Sequence, residues 1–224
     1  CLLLDRYSRL LHDQGKTDEG VAIWREFIAA QEHRFEHRHR YVAEALYEFA
    51  AFLRYARRYD ESSAQWEAFL EIADAVRKGE DTYTRDMAYF FIGRNHLQKQ
   101  PPDPAKSEAA FRASIEAVKA APRPGTDLAN ELAITQLYLA QAIILQNRID
   151  DAEAILAEAD ANARGIVTPS DQNDYRDRRN EVRLALAERS GAPEKVEAVY
   201  REWIAEREKQ HGATAEPTLK AKED

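Results

Sequence analysis

The sequence predicts an all-α fold of about five antiparallel helix pairs. Three observations predict it. Ala, Glu, Arg and Leu, all strong helix formers, are abundant. Gly and Pro number only eight each in 224 residues, which suits long helices and disfavours a strand-rich fold. A short pattern also recurs about every 44 residues: TDEGVAIWREF (17–27), YDESSAQWEAF (59–69), PAKSEAAFRAS (104–114), IDDAEAILAEA (149–159) and PEKVEAVYREW (193–203).

Each element follows from that register. A small residue stands at Ala22, Ala64, Ala109, Ala154 and Ala198, at spacings of 42, 45, 45 and 44. A larger residue follows two places later, at Trp24, Trp66, Phe111, Leu156 and Tyr200. Three places further on stand Phe27, Phe69, Ser114, Ala159 and Trp203, so all three tryptophans lie on the pattern. Before each stretch comes another helical pattern, such as LYEFAAFLRYARR from Leu46 and QLYLAQAIILQNR from Gln136, with apolar residues three and four apart. Short breaks divide the two helices of a pair: Gln14-Gly15-Lys16, Arg57-Arg58, Pro101-Pro102-Asp103, Gln146-Asn147-Arg148 and Ser190-Gly191-Ala192. Longer breaks divide successive pairs, at Lys78-Gly79, Pro122-Arg123-Pro124-Gly125 and Gly165 to Ser170. Every proline falls in a break, at a helix start or in the tail, because one in a helix interior would cost about 3 kcal/mol. The repeats then span about 1–37, 38–80, 81–124, 125–170 and 171–212, and the polar residues 213–224 read as a disordered tail. One pair alone cannot bury its apolar face; stacked pairs can.

Composition limits the function. The net charge is −8, from 32 basic and 40 acidic residues, with no basic surplus to neutralise phosphates, so nucleic-acid binding is not expected. The one cysteine, Cys1, excludes an internal disulfide and a cysteine-based zinc site. No apolar run of about 18 residues is evident, so no transmembrane segment is expected. Cys1-Leu2-Leu3-Leu4 leads at once into Asp5 and Arg6, which is not a signal peptide. The expected location is cytoplasmic. The alternative is a processed bacterial lipoprotein anchored through Cys1.

One stretch invites a chemical reading. His33-Arg34-Phe35-Glu36-His37-Arg38-His39-Arg40 contains His33-x-x-Glu36-His37, the H-x-x-E-H spacing of one class of zinc peptidases. A helix would set the histidines one turn apart with Glu36 as base. The stretch sits at a repeat edge among arginines, however, and cations are favourable at a helix C-terminus. We expect no catalytic residue, no metal and no cofactor. A metal-dependent hydrolase built on these residues is the least favoured alternative. No glycine-rich phosphate loop and no Gly-x-Ser-x-Gly elbow occurs. Runs such as Asp18-Glu19 and Asp150-Asp151 open the second helices, where negative charge meets the positive helix end.

The residues Gln14 to Gly20 with Trp24 and Phe27, Tyr59 to Ser62 with Trp66 and Phe69, and Asn147 to Ala152 with Leu156 and Ala159 resemble tetratricopeptide (TPR) repeats. The period of 42 to 45 exceeds the usual repeat of about 34. It is similar to the long repeats of kinesin light chains and of bacterial peptide-sensing regulators. The resemblance covers about residues 2–211 and implies a right-handed superhelix, an α-solenoid. It also implies small contact residues at Ser8, Ala50, Gly93 and Ala140 on first helices, and at Gly20, Ser62, Ser107 and Ala152 on second helices. Leu184 and Val196 break that rule in the fifth pair. In the family, first helices line a concave groove. Carried over by position, the partner-binding residues are Arg6, Arg9, Tyr47, Arg54, Tyr55, Phe90, Phe91, Arg94, Tyr138 and Gln141, with Arg178 and Glu181 in the fifth pair. The lysine–asparagine clamp of one subgroup is absent, its positions holding Asp5, Arg9, Glu48, Met87 and Phe91. The implied function is a non-enzymatic scaffold for a protein or peptide ligand, with a ligand-sensing module of a larger bacterial regulator as the alternative. A homo-oligomer is compatible with either.

Overall fold

The computed structural model describes residues 1–35, 39–76, 84–120 and 127–211. Among them the order is α1 (Leu2–Asp13), α2 (Thr17–Arg34), α3 (Arg40–Tyr55), α4 (Tyr59–Val76), α5 (Arg85–Gln98), α6 (Pro104–Ala120), α7 (Leu128–Leu145), α8 (Ile149–Ala163), α9 (Pro169–Arg189) and α10 (Pro193–His211), with no strand. Contacts divide the chain into two compact units, Cys1–Pro122 and Arg123–Asp224. The expected tail lies outside the described residues.

The turns inside the first, second, fourth and fifth pairs explain why the sequence breaks there, while α5 instead ends on the extended Lys99. Gly15 has φ +77°, its N–H reaches the His12 carbonyl, and the Lys16 N–H reaches the Leu11 carbonyl, both at 2.8 Å. This is a Schellman ending, which satisfies two orphan carbonyls of α1 and needs one left-handed residue. The same two bonds recur around Arg57 (φ 59°), from Arg57 to Arg54 and from Arg58 to Leu53, and around Asn147 (φ 61°), from Asn147 to Ile144 and from Arg148 to Ile143. Gly191 (φ 66°) takes the equivalent place after α9. Position in the repeat, rather than glycine itself, defines the turn.

In the first unit, α1 packs on α2 and α3, α3 on α4, α4 on α5, and α5 on α6. The small-residue contacts bring paired helices close. Ser62 Oγ donates to the Ala50 carbonyl and Ser107 Oγ to the Gly93 carbonyl, both at 2.8 Å. A Cβ on Gly20 would lie 3.2 Å from the Ser8 carbonyl oxygen. Around these contacts Trp24, Phe52, Trp66 and Phe111 are fully buried. Trp24 Nε1 donates to Ser8 Oγ at 2.9 Å. Buried Asn95 donates to Ser62 and Ser63 at 2.9 and 3.2 Å. Outside the core, a cation from the turn of one pair meets the acid opening the previous second helix: Arg58 with Asp18 at 2.6 Å and Lys99 with Asp60 at 3.0 Å.

In the second unit α7 packs on α8 and α9, and α9 on α10. Here one expectation is corrected. The 18 residues Leu128–Leu145 are apolar enough, by length and composition, to cross a membrane. Eleven of them are buried by the protein itself, which is the pattern of a core helix. The run was missed because Asn130, Glu131, Thr135 and Gln136 interrupt it. Ala140 and Ala152 are fully buried, as the small-residue rule implies. In the fifth pair Leu184 and Val196 are only half-buried, and polar contacts join the helices. Asn180 donates to Glu206 at 2.8 Å, Arg183 to Glu202 at 2.6 Å, and Arg207 pairs with Asp177 at 2.6 Å. Asp160 of α8 accepts from Tyr175 at 2.8 Å and from Arg179 at 2.5 Å on α9. Burial and this bond push the Tyr175 phenol well above its ordinary range.

Candidate partner-binding faces

The first helices of the first unit, α1, α3 and α5, meet through the side chains that the sequence nominates. The Arg9 guanidinium lies over the Tyr55 ring at 4.7 Å and pairs with Asp5 at 2.8 Å. Tyr55 donates its hydroxyl to Asp13 at 2.9 Å. One step along, Arg54 lies over Phe91 at 5.6 Å and donates to Gln98 at 2.6 Å. Arg94 lies over Phe90 at 5.7 Å, and Phe91 stacks on Trp66 at 5.3 Å. Tyr47 meets the Trp66 edge at 4.6 Å, with its hydroxyl 3.8 Å from Met87 Sδ. Arg6 is exposed. Arg9 and Arg54 each lie over an aromatic ring of the next pair, whereas Arg94 and Phe90 share α5. A guanidinium held over a ring can still donate N–H bonds to carboxylates or carbonyls. The rings remain half-buried, and Tyr55 is 44% exposed.

Glu48 stands on the same face. Burial first, then Asp5 and Glu44, push its carboxyl above the ordinary value of 4.5. Wherever the carboxyl is ionised, the folded chain bears the cost of the partly buried charge. Below pH 4.5 both states are protonated and the cost vanishes. Stability from this group is thus fullest in acid and is lost as pH rises through its folded value. Glu48→Gln is expected to raise Tm at pH 7, with the gain shrinking towards zero below about pH 4.5. Thermal melts of both chains at pH 4 and 7 check this; an equal Tm at pH 7 contradicts it.

In the second unit the facing first helices are α7 and α9. Asn130, Ile134 and Tyr138 of α7 and Asp174, Asp177, Arg178 and Glu181 of α9 line a cleft of about 350 Å³. Arg178 lies over the Tyr138 ring at 4.5 Å and pairs with Glu181 at 3.0 Å. Gln141 is half-buried, one turn beyond Tyr138 on α7 and outside this lining. The sequence placed Tyr138, Arg178 and Glu181 on the groove but missed Asn130, Ile134, Asp174 and Asp177. Their spacing of three and four along each helix is the signal that could have found them.

Of the zinc-peptidase-like pattern, His33 is exposed in the last turn of α2, while Glu36 and His37 lie outside the described residues. Nearby, His39 takes a structural part: its side chain accepts from the Tyr41 N–H at 3.2 Å and caps α3. Among the described residues no group of three or more His, Cys, Asp or Glu is placed to hold a metal ion.

Consecutive antiparallel helix pairs, three of them closed by Schellman turns, with small-residue contacts inside the pairs, give the chain a TPR-like helical-repeat fold. The solved structures it resembles include the nearly identical TPR-like repeats of a Podosopora anserina protein assigned as a kinesin light chain. That match has 14% identity and a TM-score of 0.64, covering 91% of this chain and 95% of that one. A single-substitution variant of the same repeats matches with 14% identity and a TM-score of 0.65, covering 91% and 94%. At this identity the likeness shows the fold alone. No family model matches the chain, and no curated protein matches it.

Proposed function

We propose that the chain is a non-enzymatic scaffold that binds a protein or peptide in a groove lined by its first helices. One observation carries the reading. Second helices send Trp24, Trp66 and Phe111 wholly into the core, whereas first helices keep Tyr55, Phe90, Phe91, Arg54 and Arg94 at least partly open to solvent. Tyrosine and arginine are the residues that most often anchor interfaces, and rings already held by neighbours lose little freedom on binding.

The test is a displayed library of random dodecamer peptides, selected on the native chain and on the double variant Arg94→Glu, Tyr55→Ala. Peptides enriched on the native chain are expected to weaken at least about tenfold on the variant, since loss of interface anchors costs about 2 kcal/mol or more. Circular dichroism confirms that the variant remains helical, because Tyr55→Ala also removes the bond to Asp13. Enrichment that ignores both substitutions overturns the reading for this face.

A further inference from the structure

We propose that the cleft between α7 and α9 is a receptor for a lysine or arginine side chain of a basic peptide segment. This rests on the scaffold reading above and gives the partner a chemistry. Three carboxylates and one guanidinium line the cleft, Asp174, Asp177 and Glu181 against Arg178, and Arg207 of α10 pairs with Asp177, which leaves an excess of one negative charge. The cleft already shows how it holds a cation. The chain's own Arg178 sits 4.5 Å above the Tyr138 ring, with the Glu181 carboxylate 3.0 Å away. An aromatic face beside a carboxylate is a favourable seat for a guanidinium or ammonium group.

Two acceptors in the same lining are left over. Asp177 is engaged by Arg207 and Glu181 by Arg178. Asp174 has neither ion pair nor hydrogen bond among the described residues. Asn130 Oδ1 is buried without a hydrogen-bond donor. A lysine ammonium carries three N–H donors and an arginine guanidinium five, with no acceptor in either. Such a group supplies what the exposed Asp174 carboxylate lacks, while Asn130 Oδ1 is closed to solvent and stays behind the wall of the cleft. A partner carboxylate would add a like charge and no donor. Ile134, on the α7 wall, offers apolar contact to the methylene stem of a long cationic side chain. The first unit differs, since its first-helix face sets Arg9, Arg54 and Arg94 against Asp5, Asp13 and Glu48.

The test uses the full chain and two fluorescein-labelled probes, an acetylated octalysine amide and an octaglutamate amide. Binding is read by anisotropy at about 150 mM salt, where charges more than about 8 Å apart are screened. Octalysine is expected to bind and octaglutamate not. Asp174→Asn, a change at an exposed position, is expected to weaken octalysine about fivefold, as loss of one exposed ion pair of about 1 kcal/mol implies. Glu153→Gln, which removes an exposed charge from α8, is expected to leave it within about twofold. Equal weakening by both variants means general attraction to an acidic chain and overturns the inference. So does octaglutamate binding as tightly, or no binding of octalysine. The dodecamer selection keeps the two proposals apart. Enriched peptides that depend on first-helix residues yet carry no basic residue and ignore Asp174→Asn sink this inference and leave the scaffold reading standing. Peptides that depend on no first-helix residue sink the scaffold reading.

Discussion

Trp66→Ala is expected to cost about 3–5 kcal/mol, a large share of the roughly 5–15 kcal/mol that holds a typical domain folded. The indole is fully buried. It meets Tyr47 edge-on at 4.6 Å, Phe69 edge-on at 6.2 Å and Phe91 face-on at 5.3 Å. Removing it opens a cavity where α3, α4 and α5 meet, and the surrounding rings cannot close it without leaving their own contacts. A milder pair of changes tests the cause. Trp66 Nε1 is buried with no acceptor among the described residues, whereas Trp24 Nε1 donates to Ser8 at 2.9 Å. Trp24→Phe therefore discards a buried hydrogen bond, and Trp66→Phe discards an unsatisfied donor. The ratio of costs should follow: urea midpoints should fall further for Trp24→Phe than for Trp66→Phe, by about 1 kcal/mol once converted. The reverse order would mean that ring volume, rather than the N–H, decides both.

Gly93→Ala is expected to destabilise the first unit by about 1–3 kcal/mol, although alanine is the better helix former by about 1 kcal/mol. A Cβ there would lie 2.6, 2.8 and 2.8 Å from three atoms of the Phe111 ring. That ring is fully buried and packs on Phe90 at 5.9 Å, so it has nowhere to retreat. Retreat would also lengthen the Ser107 bond to the Gly93 carbonyl. Gly20→Ala is the informative comparison. Its nearest neighbours are Phe52 Cζ at 3.0 Å and Ser8 at 3.2 and 3.3 Å. A shift of a few tenths of an ångström relieves those contacts, so Gly20→Ala should cost less. Denaturant melts of the two variants check this, and an equal or higher stability of Gly93→Ala would contradict it.

Much of the architecture was legible in the sequence because helix pairs are written locally. Breaks at Gly15, Arg57 and Asn147 could be read from turn chemistry and from the lapse of the apolar period, and the structure places left-handed residues at each. The contact pairs Ala50 with Ser62 and Gly93 with Ser107 followed from the resemblance and are observed as hydrogen bonds. What the sequence concealed is lateral. Nothing in a linear pattern says that Arg54 is held by Gln98 or that Tyr55 is bonded to Asp13. Those relations join residues 44 and 42 positions apart, and they depend on how neighbouring helices rotate about their axes. The apolar character of α7 was concealed for a related reason. A helix packed by neighbours on several sides needs no polar face, so its pattern has little amphipathic contrast.

The recurring alanines that reveal the period do none of the packing. Ala22, Ala64, Ala109, Ala154 and Ala198 are exposed in every pair, while in the first three pairs the residues two places to either side are buried. The chain therefore carries its own graduated scale. Each mark is a small, solvated helix position where a cysteine bearing a spin label or dye displaces nothing buried. Labels at 22 and 64, or at 64 and 109, read the advance from pair to pair within the first unit. Labels at 109 and 154 read the distance from one unit to the other. Titrating a bound peptide against such labelled pairs would turn the repeat's most conspicuous letter into a gauge of whether the scaffold changes pitch when it is occupied.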